Sequence, residues 1–408
     1  MGILRRAERL KSGLLHFARD GRKSGALMLA AAILGLAFAN LPVIAGIYRS
    51  LSEYRPPIAL PGLMMSVGDW ARDGLLAVFF LVVGLDLKCE LTTGSLSRAR
   101  DAMVPVLAAI GGVATPALFY LAVNAGSHQT LRGWTVPTAT DIAFSVAVLA
   151  MTGGVGALRL RPFLTTLAVA DDVIGILLIA VVYAHGGSVW ALLGLAVCLA
   201  VWFALVRCRR VVWIVAVPVA LLAWYMALLA GIHPTIAGVA LGLLVPGSPI
   251  RGEVRARAER WSNLIGPFSS LLVLPIFAFF AMGVSLQGMG IGSLTGPVFL
   301  GVFLGLVVGK PVGVSIVVEI CRLCGLVTSS SQDPQATVPS RLERLGVAQL
   351  CGIGFTVAFL MADLAFSDPV HAGIAKTAVL TGSVVAALIG SAELIIARRS
   401  RSHQSATV

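Results

Sequence analysis

Apolar stretches of roughly 20 residues recur from residue 24 to residue 396 of this 408-residue chain, each long enough to cross a hydrocarbon core about 30 Å thick. Only 12% of the residues are charged, against about a quarter in a soluble globular protein, so lipid is the solvent to which the fold answers. Gly, Pro and charge punctuation place spans near 24–46, 73–86, 102–124, 133–152, 162–184, 188–206, 211–231, 234–246, 264–286, 297–320, 345–366 and 373–396. The pattern is that of an all-α polytopic membrane protein of about 12 transmembrane helices. One membrane domain over 24–396 follows a basic tail over 1–23 and precedes a short tail over 397–408, with no room for a sizeable soluble domain.

Orientation follows from the basic residues. With the N-terminus in the cytoplasm, Lys and Arg number 25 in the inner loops and tails against 4 outside, namely Arg49, Arg55, Arg72 and Arg132. That asymmetry is what the positive-inside rule requires, and an even span count then puts both termini in the cytoplasm. The first apolar stretch is longer than a signal-peptide core and lacks a clear small-residue cleavage site, so it reads as an uncleaved span. The longest polar interruptions, 47–71 outside with Pro56, Pro57 and Pro61, and 321–344 inside with Ser329, Ser330 and Ser331, read as loops. The basic tail reads first as a topogenic signal, and Leu10, Leu14, Leu15 and Phe17 also give it the means to lie on anionic lipid headgroups.

The net charge of +12 does not indicate nucleic acid, because the basic residues form short clusters between apolar runs and no continuous basic surface. The six cysteines fall within spans or on the cytoplasmic side, where thiols stay reduced, so no disulfide framework is expected. Cys321 and Cys324 have C-x-x-C spacing with no second pair or histidine pair to complete a zinc site.

Asp141, Asp171, Asp172, Lys310 and Asp363 fall inside apolar spans, where a charge costs at least about 2.5 kcal/mol and needs a partner or a function. Asp171 and Asp172, adjacent in Leu167-Ala-Val-Ala-Asp-Asp-Val-Ile-Gly-Ile176, cannot both be ionised cheaply and should exchange protons in coupled steps, which suits a site where a proton and a cation compete. Pairing both acids with bases would require two intramembrane bases, and the spans offer chiefly Lys310. Gly309 and Pro311 let the span bend at Lys310, whose expected partner is Asp171 or Asp172. Pro137, Thr138 and Thr140 interrupt the span that carries Asp141, and Cys351-Gly-Ile-Gly-Phe355 interrupts the eleventh. Two broken helices in separate halves of a polytopic chain point to a binding site near the membrane midplane.

These motifs, with Phe79-Phe-Leu-Val-Val-Gly-Leu-Asp-Leu-Lys88, Ala139-Thr-Asp-Ile-Ala-Phe144, Ala170-Asp-Asp-Val173, Gly283-Val-Ser-Leu-Gln-Gly288, Gly309-Lys-Pro311 and Cys351-Gly-Ile-Gly-Phe-Thr356, resemble the NhaA-type sodium/proton antiporters over nearly the whole chain. The resemblance implies an inverted repeat with two broken, crossing helices, these antiporters being a known example of that architecture. It implies that Asp172 is the main cation and proton carboxylate, Asp171 its neighbour paired with Lys310, and that Asp141 and Thr140 line the site. It further implies electrogenic exchange of external protons for internal Na+ or Li+, activation at alkaline pH, no cofactor, a homodimer contact through the 47–71 loop, and residence in membrane lipid, here that of a bacterial inner membrane. The pH-sensing region corresponds to Asp86, Lys88, Glu90 and Glu259, with His233 matching a family histidine. Departures from the family cluster there: Cys89 replaces an arginine, and Arg260 and Asn263 replace histidines. Ala281 replaces an asparagine of the ninth span, and Asp363 is an added acid.

Two other classes use similar parts. A sodium-coupled symporter of an organic solute requires a roomy, partly polar pocket, whereas the groups gathered here are acids, threonines and Lys310. An aspartyl protease places its acids on separate helices with a Gly-x-Gly-Asp signature, which Ala-Asp-Asp-Val lacks, so no enzyme is expected. The absence of a G-x-x-x-x-G-K-[ST] loop gives no support to a nucleotide-driven pump.

Overall fold

The computed structural model describes residues 21–57, 63–127, 129–154, 157–183, 186–209, 211–284, 292, 295–326 and 340–406. The N-terminal tail to residue 20, residues 58–62 of the first outer loop, residues 285–288 of the Gly283–Gly288 motif and Ser329–Ser331 lie outside the described residues. Among the described residues there is no β-strand. The principal helices are α1 (Gly21–Asn40), α2 (Ala45–Glu53), α3 (Leu76–Thr92), α4 (Ala99–Asn124), α5 (Ile142–Thr152), α6 (Ala157–Val182), α7 (Val189–Leu205), α8 (Trp213–Leu229), α9 (Pro234–Leu244), α10 (Arg257–Phe268), α11 (Leu274–Ala281), α12 (Pro297–Leu304), α13 (Lys310–Leu323), α14 (Arg341–Leu350), α15 (Phe355–Ala365) and α16 (Pro369–Ala406). Single π turns lead into α3, α11 and α13, at Trp70–Leu75, Ser269–Val273 and Gly305–Gly309, and a 3-10 helix, Leu131–Thr138, precedes α5.

By length and composition six helical runs can cross a membrane, and up to eight if each of two bent pairs is one span; α7, α8 and α9 are shorter apolar helices. Trp190 and Ile214 on α7 and α8 are 82% and 86% exposed, as expected of side chains whose solvent is lipid. Three details depart from the sequence reading. The first outer interruption begins with a helix, α2, because Tyr48 has an apolar partner to cover: its ring packs on Phe279 and its hydroxyl donates to the Phe279 carbonyl at 3.1 Å. Helix α3, at the second expected span, runs to Thr92, past the expected limit at residue 86, and α16 continues through the C-terminal tail to Ala406.

The chain forms two compact units, Met1–Ser97 with Ile179–Ser285, and Arg98–Leu178 with Leu286–Val408. In the first, α3 and α9 run parallel in backbone contact: a Cβ on Gly84 would meet the backbone of Val239, and one on Gly242 the backbone of Leu81 and Leu85. Small residues allow such approach where lipid supplies no hydrophobic drive to association. Arg257, 1% exposed, closes the C-terminal end of α7 by donating to the carbonyls of Val206 at 2.8 Å and Cys208 at 2.7 Å, and it holds Glu253 in a fork, Nε to Oε1 at 2.9 Å and Nη2 to Oε1 at 2.7 Å.

In the second unit, Leu160, Leu164 and Leu167 of α6 are buried at four- and three-residue intervals, and the next step of four falls on Asp171, so the stripe that seats α6 also carries that carboxylate inward. α13 lies against α4, where Gly112 leaves room for the Lys310 stem and for Val314.

Arg257→Met leaves the end of α7 uncapped and Glu253 without its fork, so the unfolding free energy in detergent should fall by about 3 kcal/mol. The Arg257 hydrogen bonds hold the Glu253 carboxyl below its usual range. That part of the stabilisation is fully present above the ordinary glutamate value and lost as pH falls below it through the lowered folded-state value, so the gap between wild type and variant should narrow in thermal melts taken below about pH 4.

Candidate ion-binding site

The structure brings Asp141, Asp171, Asp172, Lys310 and Thr140 together in the second unit, each 8% exposed or less. The frame is a pair of interrupted helices. The 3-10 helix Leu131–Thr138 and α5 meet at a 43° bend through extended residues Ala139 to Asp141, and α14 and α15 meet at a 45° bend through Cys351–Gly354. Pro137 contributes no amide to continue the first ladder, and Asp141 begins a new one as the N-cap of α5, accepting from the Phe144 amide at 3.1 Å. In the second, Gly352 and Gly354 give the backbone the freedom to leave the helix.

Each interruption satisfies the other. The Asp141 amide donates to the Ile353 carbonyl at 2.6 Å, the Thr140 hydroxyl to the Cys351 carbonyl at 2.8 Å and the Ser145 hydroxyl to the Leu350 carbonyl at 2.8 Å. Ser383 of α16 accepts from the amides of Gly354 at 3.2 Å and Phe355 at 3.4 Å. Backbone groups that lipid would leave unpaired thus find partners inside the protein.

Helix ends set the local charge. The N-termini of α5 and α15, with their partial positive charge, both meet Asp141: besides the Phe144 amide it accepts the Thr356 hydroxyl at 2.9 Å and the Thr356 amide at 3.4 Å. The C-terminal end of the 3-10 helix is partially negative, and there Lys310 Nζ donates to the Thr138 carbonyl. Lys310, fully enclosed, also pairs with Asp171 Oδ2 at 2.5 Å. The π turn at Gly305–Gly309 and the start of a new helix at Lys310 aim this side chain, in keeping with the concentration of π turns at functional sites.

Asp172 is the exception. It lies within electrostatic reach of Asp171, Asp141 and Lys310. Its Oδ1, like Asp171 Oδ1, is buried with no hydrogen-bond partner among the described residues, but Asp171 meets Lys310 through its other oxygen and Asp172 does not. Asp141 has two helix ends and Asp171 has Lys310, whereas the neighbours nearest in charge to Asp172 are acids.

The pH-sensing candidates lie in the first unit. Asp86 accepts from Ser262 at 2.5 Å, Glu90 accepts the amide and hydroxyl of Ser95, each at 3.0 Å, and Glu259 lies 3.9 Å from Arg255. Asp86, Glu90 and Glu259 all act electrostatically on Cys89, so they form one acidic cluster, and Lys88 is half-buried on the same turn of α3. His233 stands elsewhere, beside Asp73 at 3.6 Å and Thr235 at 2.7 Å, at the opposite end of the α3 and α9 pair and about 20 Å from Asp86 at 1.5 Å per residue.

The Na+/H+ antiporter 1 family matches residues 15–394. The chain belongs to that family. It is 42% identical over 410 residues to the Na+/H+ antiporter NhaA of Bifidobacterium adolescentis, covering 95% of this chain and 87% of that one. Similarity is comparable to the NhaA proteins of Streptomyces avermitilis, 45% over 372 residues with 90% and 78% covered, and of Nocardia farcinica, 42% over 401 residues with 97% and 94% covered. Among the described residues no group of three or more His, Cys, Asp or Glu is arranged to hold a resident metal.

Sequence reasoning missed Thr356, although it stood in a quoted motif, since nothing local marks it as a partner of Asp141 215 residues away. Lys376, which with Lys310 falls outside the loop tallies, was given no partner from the sequence: on α16 it pairs with Asp363 at 2.6 Å, so Lys310 is not the sole paired base within the spans. Thr356→Val should cost about 1 kcal/mol in detergent unfolding by removing one hydrogen bond to Asp141, and Thr356→Ser should restore it; equal stability of wild type and the valine variant would show that the hydroxyl is not held there.

Proposed function

We propose that this protein exchanges Na+ for H+ across a membrane by competition at Asp172, with Asp171, Lys310, Asp141 and Thr140 shaping the site. The observation that supports this reading most directly is the Asp172 carboxylate, enclosed beside Asp171 and Asp141 with no donor to its Oδ1 among the described residues and with Lys310 engaged by Asp171. An enclosed acid with no donor is stable only when neutralised, and a proton and a small hard cation are the two ways to neutralise it. One carboxylate does not hold both, so arrival of one drives departure of the other, and two alternating openings of the site convert that competition into exchange. The Asp171 and Lys310 pair is charge-balanced before any ion enters, which leaves Asp172 to change state.

The family match favours antiport over the solute symporter weighed from the sequence, and the curated relatives are named as transporters, not as enzymes. Our reading extends to about twelve spans over 24–396 with both termini cytoplasmic, for which the distribution of Lys and Arg is the support, and to a bacterial inner membrane as the setting. Acceptance of Li+ follows from the same hard oxygen ligands. A homodimer through the outer loop and regulation by Asp86, Lys88, Glu90, Glu259 and His233 rest on family resemblance, to which the clustering of the three acids adds support.

In proteoliposomes with an imposed pH gradient, scanned from neutral to alkaline pH where the family resemblance places activation, sodium should collapse the gradient with wild-type protein and fail to do so with Asp172→Asn. Wild-type rates from the asparagine variant would refute the role given to Asp172. Failure of the wild type at every pH would refute antiport.

A further inference from the structure

A second buried ion pair lies in the same unit, and the mechanism above does not use it. Lys376 Nζ of α16 is 2.6 Å from Asp363 Oδ1 of α15, the lysine side chain 5% and the aspartate side chain 20% exposed. Every residue of α15 from Phe355 to Ala362 is buried, so Asp363 sits where an enclosed helix first opens. It lies seven residues beyond Thr356, two helical turns or about 10.5 Å, and therefore on the same face. The face of α15 that holds Asp141 at its inner end presents a carboxylate at its outer end.

Asp363 also occupies the last turn of α15, where the free carbonyls give the helix end a partial negative charge and an acid is disfavoured. If the pair served only to join two helices, apolar side chains would do so at no loss, because desolvating both ions offsets their attraction. A carboxylate at a negative helix end is instead a place that draws protons or cations. The acidic series continues outward. Asp368 has a 52% exposed side chain and accepts from or shares a proton with His371 Nδ1 at 2.6 Å, and that contact holds its carboxyl below the usual range, so it is anionic at neutral pH. The charged or titratable groups of the elements packed against this end of α15 are Arg132 of the 3-10 helix and His371 and Lys376 of α16.

We propose that Asp363 is a second ion-handling carboxylate of the antiporter, a station on the external side through which protons pass from the Asp368 surface toward Asp141 and through which sodium leaves, with Lys376 as its fixed counter-charge. The proposal rests on the antiport reading. Deprotonated, the pair is neutral and passes a cation; protonated at Asp363, it carries the net positive charge of Lys376 and repels sodium outward. The proton bound from outside is the one passed inward, so charge balances at each step.

The test uses right-side-out proteoliposomes of wild type, Asp363→Asn, Asp363→Glu and the exchanged pair Asp363→Lys with Lys376→Asp, each also melted in detergent. Sodium-dependent exchange by wild type is the control for antiport itself, and its absence would remove that reading before this one. Asp363→Asn should exchange on the order of 100-fold more slowly at alkaline external pH, the size of effect expected of a lost proton-transfer group, and recover as external pH is lowered. Asp363→Glu should keep most of the rate, and the exchanged pair should regain wild-type melting without regaining transport. Wild-type rates from Asp363→Asn at all external pH values, or restoration of transport by the exchanged pair, would overturn the proposal and leave a helix-to-helix staple; if the asparagine variant fails to fold, the exchanged pair decides alone.

Discussion

An unpaired backbone group in hydrocarbon costs several kcal/mol, and the second unit is organised around two places where the helical ladder is deliberately stopped. What makes this tolerable is that the freed groups find partners inside the protein: the Asp141 amide and the Thr140 hydroxyl take carbonyls of the Cys351–Gly354 break, and Ser383 takes the Gly354 amide. Neither interruption would survive alone. The arrangement gathers two helix N-termini and two helix C-termini in a small volume, with Asp141 at the positive ends, Lys310 at one negative end and the hydroxyls of Thr140 and Ser145 at the other.

From that sorting three aspartates of one chemical kind acquire three different roles. Asp141 is tied to amides and a hydroxyl and Asp171 to an ammonium, whereas Asp172 has no hydrogen-bonded cation among the described residues and feels Lys310 only across its acidic neighbours. In the proposed exchange, one carboxylate left short of a hydrogen-bond partner in an enclosed place is the group that a proton or a cation would neutralise.

The span pattern, the inward acids and both interruptions were legible in the sequence because each has a local cause: apolar length, proline, or paired glycines. The choice of Asp171 over Asp172 as partner of Lys310 was also encoded, in the buried stripe Leu160, Leu164, Leu167, Asp171, but only a structure shows which face of α6 is seated. Contacts between distant segments had no local signature. Thr356 with Asp141, Ser383 with the Gly354 amide and Ser262 with Asp86 each join residues far apart in the chain. Lys376 escaped for a related reason, since its acid lies across a turn on another helix. Helix α2 was hidden by Arg49 and the prolines that follow, which read as a loop until Tyr48 found Phe279.

The π turn at Gly305–Gly309 lets one more residue into the circuit than an α-turn holds, and the helix that follows is thereby shifted in phase by about 100°. Loss of any one residue from that turn would let the ladder close as an ordinary α-helix and swing the lysine away from its acid, with every amino acid of the motif otherwise unchanged. The aim of Lys310 is thus stored as a count of residues along the chain as much as in the identity of the residue itself.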